Sequence, residues 1–94
     1  MMFLVFVRRS GPGYDRARPL EEQSGWEQHA AFMDALVERG FMVLGGPLDD
    51  EERVVYAFEA DSEAEVRATL AQDPWNGSHL NIESITPWTV RLRQ

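Results

Sequence analysis

The chain has 94 residues, enough for one domain spanning 1–94, and a formal net charge of −7 from 16 acidic and nine basic side chains. Such an acidic chain repels a phosphate backbone, so we expect no nucleic-acid partner. It has no cysteine, and all nine basic residues are arginines, which excludes thiol chemistry, disulfides and Schiff bases. No apolar run approaches the roughly 20 residues that cross a bilayer, and the N-terminal charges follow the apolar run instead of preceding it, so we expect a cytoplasmic protein outside the membrane.

The first 40 residues predict a strand, a loop and a helix. "MFLVFV" at 2–7 is a continuous apolar run, typical of a strand buried on both faces. Residues 10–25 have turn residues at both ends and predict a long loop of the kind that is often functional. Ser24 followed by Glu27 fits a capping box that begins a helix, and Gly40 is expected to end it.

The middle of the chain predicts two strands and a second helix. The strands are expected at 41–46, which ends in a Gly-Gly-Pro kink, and at 53–60, after an acidic turn. Ser62 opens a second capping box, and the helix runs to about Ala71. Pro74 ends it, because proline disfavours a helical conformation in the residue before it.

A fourth strand is expected at 80–92, and its proline marks it as an edge strand. Trp88 on this strand is expected to pack in the core. The order βαββαβ predicts an α+β ferredoxin-like fold, a four-stranded antiparallel sheet with both helices on one face. Right-handed crossovers give the strand order 4-1-3-2. Because the helices leave one sheet face uncovered, we expect a homodimer in which a second sheet covers it.

The first helix carries an ionisable ring on its apolar face. His29, Met33 and Leu36 lie at helical spacing, so the imidazole is expected to point under the helix. Asp73 follows the second helix at the same end of the domain. A carboxylate there would orient one ring nitrogen and leave the other as a general base or acid for a small-molecule substrate. A second interpretation stays open, with a histidine in the core and an aspartate that caps a turn.

Other residues at this end are candidates for substrate contacts. Arg8 or its neighbour Arg9 would bind a substrate carboxylate, depending on strand parity, and we select Arg8; a surface charge is the alternative. Gly45 and Gly46 would let a ligand approach the backbone and offer N–H donors, or would simply form a bulge. Trp75 would stack on a planar substrate or pack in the core.

No metal and no cofactor are predicted. The chain lacks haem, flavin and nucleotide fingerprints. His29, Asp73 and His79 are residue types that bind metals, but their spacing does not require one.

Three stretches of the chain carry a family resemblance. "WEQHAAFMDALVERGFMVLGGPL", "DSEAEVRATLAQDPW" and "IESITPW" together resemble the YCII-related proteins of the dimeric α+β barrel superfamily. The resemblance implies that His29 and Asp73 form an active-site dyad and that subunits pair through their sheet faces. It also implies a lyase-, isomerase- or dehydrochlorinase-like reaction on small cyclic or aromatic compounds. A non-catalytic module that binds a small metabolite and a structural dimerisation module are the alternatives.

Overall fold

A computed structural model describes all residues of the chain, 1–94. In chain order the elements are β1 (Met2–Arg9), a short 3-10 turn (Leu20–Glu22), α1 (Trp26–Glu38), β2 (Met42–Pro47), β3 (Arg53–Glu59), α2 (Glu63–Leu70) and β4 (Leu80–Trp88). The predicted βαββαβ order and the ferredoxin-like α+β fold are confirmed. Neither helix combines the length and the apolar character needed to span a membrane.

The four strands form one antiparallel sheet in the order β2-β3-β1-β4. Right-handed crossovers predict this order, with β1 in the centre and β4 at an edge. The edge position suits Pro87, which has no N–H to donate to a neighbouring strand. A register irregularity in the β1–β4 pairing puts Ile82 opposite Val7 and Ile85 opposite Val5. Both isoleucines, although three residues apart, therefore occupy rows that face the helices.

Alternation along β1 divides the sheet into two faces. Phe3, Val5 and Val7 are at most 3% exposed and join one core cluster with Leu36 of α1 and Val66 of α2. The intervening β1 residues point to the opposite face and do not belong to this cluster. The core is therefore a single layer between the sheet and both helices.

Two helix ends follow the local signals in the sequence. Gly40 has φ of 74°, and the Phe41 N–H donates to the Leu36 carbonyl at 3.0 Å, so α1 ends as predicted in a Schellman-type turn. At the start of α2, the Ser62 hydroxyl accepts a hydrogen bond from the Glu65 N–H at 3.1 Å. This bond confirms the predicted N-cap.

The predicted cap at Ser24 is wrong. Gly25, with φ of 74°, is the N-cap of α1, and no side chain caps this helix. The Ser24 hydroxyl lies 3.0 Å from His79 Nε2, and its carbonyl accepts a hydrogen bond from Trp75 Nε1 at 2.8 Å. These contacts with distant parts of the chain replace the local cap. Glycine supplies the left-handed backbone that the chain then needs.

The prediction that Trp88 packs in the core is also wrong. Trp88 is 43% exposed and pairs with Met2 at the end of the β1–β4 ladder, on the face away from the helices. Leu44 of β2 is 66% exposed and shares the row of Ala57 and Leu4 on that face. The uncovered face thus presents large apolar side chains.

Candidate active site

His29 and Asp73 meet although they are 44 positions apart in the chain. The first turn of α1 positions the imidazole, and the turn after α2 positions the carboxylate. His29 Nδ1 lies 2.8 Å from Asp73 Oδ1, and the two side chains are only 10% and 4% exposed. The same oxygen accepts a hydrogen bond from the Trp75 N–H at 2.9 Å. Asp73 therefore both caps its own turn and holds the imidazole.

This contact fixes which ring nitrogen of His29 carries a proton. An ionised carboxylate only accepts hydrogen bonds, so the His29 Nδ1–H must be the donor to Asp73. In the neutral ring, Nε2 then carries the lone pair, and it makes no hydrogen bond within the chain. The arrangement presents a proton acceptor on the side of the ring away from Asp73.

Trp75 holds the imidazole in place from one side. Its indole stacks on His29 at 4.1 Å between centroids and an interplanar angle of 8°, and its other face stacks on His79 at 4.7 Å and 11°. Only 1% of Trp75 is exposed, and its Nε1–H donates to the Ser24 carbonyl. Trp75 lines the cavity, but His29 and His79 cover both faces of its indole, which favours the alternative interpretation that it packs in the core. It also orients His29.

A cavity of about 400 Å³ opens beside His29, between α1 and the sheet. Its walls are mostly apolar and include Trp26, Met33, Met42 and Leu80. A volume of this order suits a small organic molecule. The site therefore joins a positioned proton acceptor to an apolar binding space.

The loop at 10–25 forms part of this wall. Gln23 ties it together, since its Nε2 donates to the carbonyls of Asp15 and Arg18 at 2.6 and 2.9 Å, and its Oε1 accepts from the Asp15 N–H. Leu20 then contributes to the cavity. The predicted loop is thus held by internal bonds and shapes the site.

Tyr56 contributes a phenol to the cavity that the sequence-based prediction missed. Burial, together with the nearby Asp73 charge, raises the pKa of Tyr56 well above its ordinary value of 10.0. The phenol therefore stays protonated and is a hydrogen-bond donor. The period of two residues in a strand would have predicted this position, because Val54, Tyr56 and Phe58 lie on one face of β3 and all belong to the core cluster.

The two glycines selected from the sequence both line the cavity. A Cβ on Gly45 would lie 2.7 Å from Tyr56 Cδ1, so close packing against this ring requires glycine. A Cβ on Gly46 would meet no atom within 4 Å. Gly45 therefore has a packing explanation, whereas nothing adjacent to Gly46 demands glycine.

The family model described as the YCII-related domain matches residues 1–89. The chain belongs to the YCII-related family. Its fold is consistent with the dimeric α+β barrel superfamily, as the resemblance implied. A search of curated proteins finds no match.

The structure separates the two arginines at the end of β1 in this YCII-related chain. Arg8 does not line the cavity: it bonds to Glu83 at 2.7 Å and to Glu52 at 3.2 Å. Arg9 lines it instead. The reason is parity, because β1 continues to Arg9, which points to the same side as Val7.

His79 lies behind Trp75 and does not line the cavity. Hydroxyls from Ser24 and Ser78 lie 3.0 and 2.8 Å from its two ring nitrogens. Burial lowers the pKa of His79 below the ordinary 6.5, and the neighbouring His29 adds to this effect. No three His, Asp or Glu side chains converge as metal ligands.

Proposed function

We propose that this protein is an enzyme that moves protons on a small cyclic or aromatic compound, in an elimination or an isomerisation. His29 would take a proton from carbon at Nε2. It would return the proton to another carbon in an isomerisation, or keep it while a leaving group departs in an elimination. The observation that carries the proposal is the buried 2.8 Å contact between His29 and Asp73 at the edge of an apolar cavity.

The neighbouring groups suit this chemistry. The Asp73 carboxylate would stabilise the imidazolium that forms during proton transfer, because it already accepts the Nδ1–H bond. The protonated Tyr56 would donate a hydrogen bond to negative charge that develops on an enolate-like oxygen of the substrate. A positioned base of this kind contributes about 10²–10⁴-fold in rate, which suits a substrate with an acidic C–H or a good leaving group.

The two alternatives make different predictions. A purely structural dimerisation module has no use for a cavity that reaches His29, and the cavity therefore argues against it. A non-catalytic metabolite-binding module would use the same cavity, and it predicts thermal stabilisation by a ligand without product formation. The cytoplasmic location stays a prediction from the sequence.

The test is a panel of small cyclic and aromatic compounds that have acidic C–H bonds or chloride leaving groups, incubated in deuterated buffer and followed by NMR. We expect the wild type to exchange or convert at least one compound. His29→Asn should lower that rate by about 10²–10⁴-fold. Gln28→Ala, on the exposed side of the same helix turn, is the matched control and should not change it. A compound converted equally fast by His29→Asn would overturn the proposal.

We further propose that the protein is a homodimer paired through the uncovered sheet face. The support is the apolar surface of this face, which includes Leu4, Leu44 and Trp88, and of these Leu44 and Trp88 are 66% and 43% exposed. Large apolar patches on a sheet face are usually covered by a partner, and a second copy offers the same surface. The cavity lies on the other side of the sheet, so this pairing would leave it open.

Analytical ultracentrifugation tests the dimer. We expect wild type to sediment as a dimer and Leu44→Glu to sediment as a folded monomer. Leu92→Glu is the matched control, because Leu92 is 93% exposed and lies beyond β4. It should remain a dimer. A monomeric wild type, or a dimer that tolerates Leu44→Glu, would refute pairing through this face.

A further inference from the structure

Arg9 is a buried cation without a counter-charge. The residue is only 8% exposed, and its Nε is the one buried side-chain nitrogen or oxygen that has no hydrogen-bond partner. None of the ion pairs in the chain includes it. Arginine stays ionised in proteins, and buried charges are normally paired. Something outside the chain is therefore expected to complete this site.

One neutral hydrogen bond to the backbone holds the guanidinium, and a second bond holds the main chain of Arg9. Arg9 Nη1 donates to the Glu51 carbonyl at 3.1 Å, and the Arg9 N–H donates to the Glu52 carbonyl at 2.7 Å. Glu51 has φ of 60°, a left-handed conformation that is unfavourable for a non-glycine residue. In this conformation the Glu51 carbonyl, in the turn between β2 and β3, points toward Arg9.

Two carboxylates of the β2–β3 turn, Glu52 and Asp50, pair with other arginines. Glu52 bonds to Arg16 at 2.6 Å and to Arg8 at 3.2 Å. These contacts, with the Arg16 hydrogen bond as the largest cause, hold the pKa of Glu52 below its ordinary value. Asp50 pairs with Arg53 at 2.9 Å. The two other acidic side chains of the turn, Asp49 and Glu51, line a groove together with Arg9 but make no ion pair with it.

The position of Arg9 links charge to the apolar cavity. Arg9 lines the cavity together with His29 and Tyr56, and its charge acts on the Tyr56 phenol. It also lines a polar groove of about 740 Å³ between the 10–25 loop and the β2–β3 turn. A guanidinium presents parallel N–H donors that match a carboxylate. A ligand that satisfies this site has an apolar body for the cavity and a carboxylate for Arg9.

We propose that the ligand of this cavity carries a carboxylate and that Arg9 binds it. The proposal rests on the proposed function only in taking this ligand to be the substrate. Arg9 would set specificity by holding the carboxylate, while His29 acts on a carbon elsewhere in the molecule. Asp34 also lines the cavity, but it is exposed and makes no ion pair with Arg9.

The test measures binding of benzoate, of its neutral analogue benzyl alcohol and of inorganic phosphate, by isothermal calorimetry. We expect wild type to bind benzoate at least about tenfold more tightly than either of the others, a difference that one charge-assisted contact can supply. Arg9→Gln should remove that preference. Arg8→Gln loses the same charge on the other sheet face and should keep the preference for benzoate.

Because Arg9→Gln removes a buried unpaired charge, we expect it to unfold at a temperature no lower than wild type.

Several results would overturn the proposal. These are benzoate binding that Arg9→Gln leaves unchanged, equal binding of benzyl alcohol or phosphate by wild type, and loss of benzoate binding in Arg8→Gln as well. His29→Asn separates this proposal from the proposed function. It should still bind benzoate through Arg9 while it loses turnover. If Arg9-dependent binding is found and no compound is ever converted by wild type, the carboxylate site stands and the enzymatic proposal fails.

Discussion

Replacing Asp73 by Asn tests whether its charge holds the site together. Asp73 Oδ1 accepts two hydrogen bonds, from His29 Nδ1 at 2.8 Å and from the Trp75 N–H at 2.9 Å. An amide oxygen of the same shape still accepts, but without charge. Hydrogen bonds to charged groups contribute about 1.5–3 kcal/mol and neutral ones about 0.5–1.5, so two bonds lose roughly 2–3 kcal/mol together. Relief from burying a carboxylate offsets part of this loss, and we expect the free energy of unfolding to fall by about 1–2 kcal/mol.

Urea unfolding followed by tryptophan fluorescence measures this change, because Trp75 is buried against the dyad. All samples need one protein concentration, since the stability of the proposed dimer would depend on it. Asp49→Asn is the control, because Asp49 is exposed, and it should stay within about 0.5 kcal/mol of wild type. A loss below about 0.5 kcal/mol in Asp73→Asn would refute the charge-assisted contact.

Nitrogen NMR gives a second readout of the same reasoning. In its neutral form, wild-type His29 should carry its proton on Nδ1 and a lone pair on Nε2. The geometry requires this tautomer, because Asp73 accepts at Nδ1. A proton found on Nε2 instead would contradict both the contact and the proposed base.

Three further predictions concern stability. Burial lowers the pKa of His79 below 6.5. As the pH falls below that value, His79 is therefore protonated in the unfolded chain before it is protonated in the folded one. The melting temperature should thus fall as pH drops below about 6.5, and less so in His79→Gln. Gly45→Ala, whose Cβ would lie 2.7 Å from the Tyr56 ring, should cost about 1–3 kcal/mol in urea unfolding, whereas Gly46→Ala should be nearly neutral. Ser62→Ala should cost about 1 kcal/mol by the same measurement, because α2 loses its N-cap.

The features that the sequence predicted depend on strong local signals combined with topology. The apolar run at 2–7 marked a central strand, and right-handed crossovers then left one strand order. Helical spacing placed His29 inward, and the shared end of the domain placed Asp73 beside it. The close contact was thus predictable because it follows from the fold and not from fine side-chain geometry.

The features that the sequence did not predict depend on distant contacts or on a single step of strand parity. Ser24 has the local form of a cap, but His79 and Trp75, distant in the chain, take up its polar atoms. Arg8 and Arg9 are adjacent, and only the extent of β1 decides which of them reaches the cavity. A local pattern contains neither piece of information.

The net charge of −7 is compatible with a cavity that binds a carboxylate. Exposed charges are screened over about 8 Å at physiological salt, so the acidic surface acts weakly at a buried site. Glu52 and Asp50 pair with other arginines, and no acidic side chain makes an ion pair with Arg9. The overall charge therefore influences the association rate of an anion, whereas Arg9 and the apolar wall determine its dissociation rate.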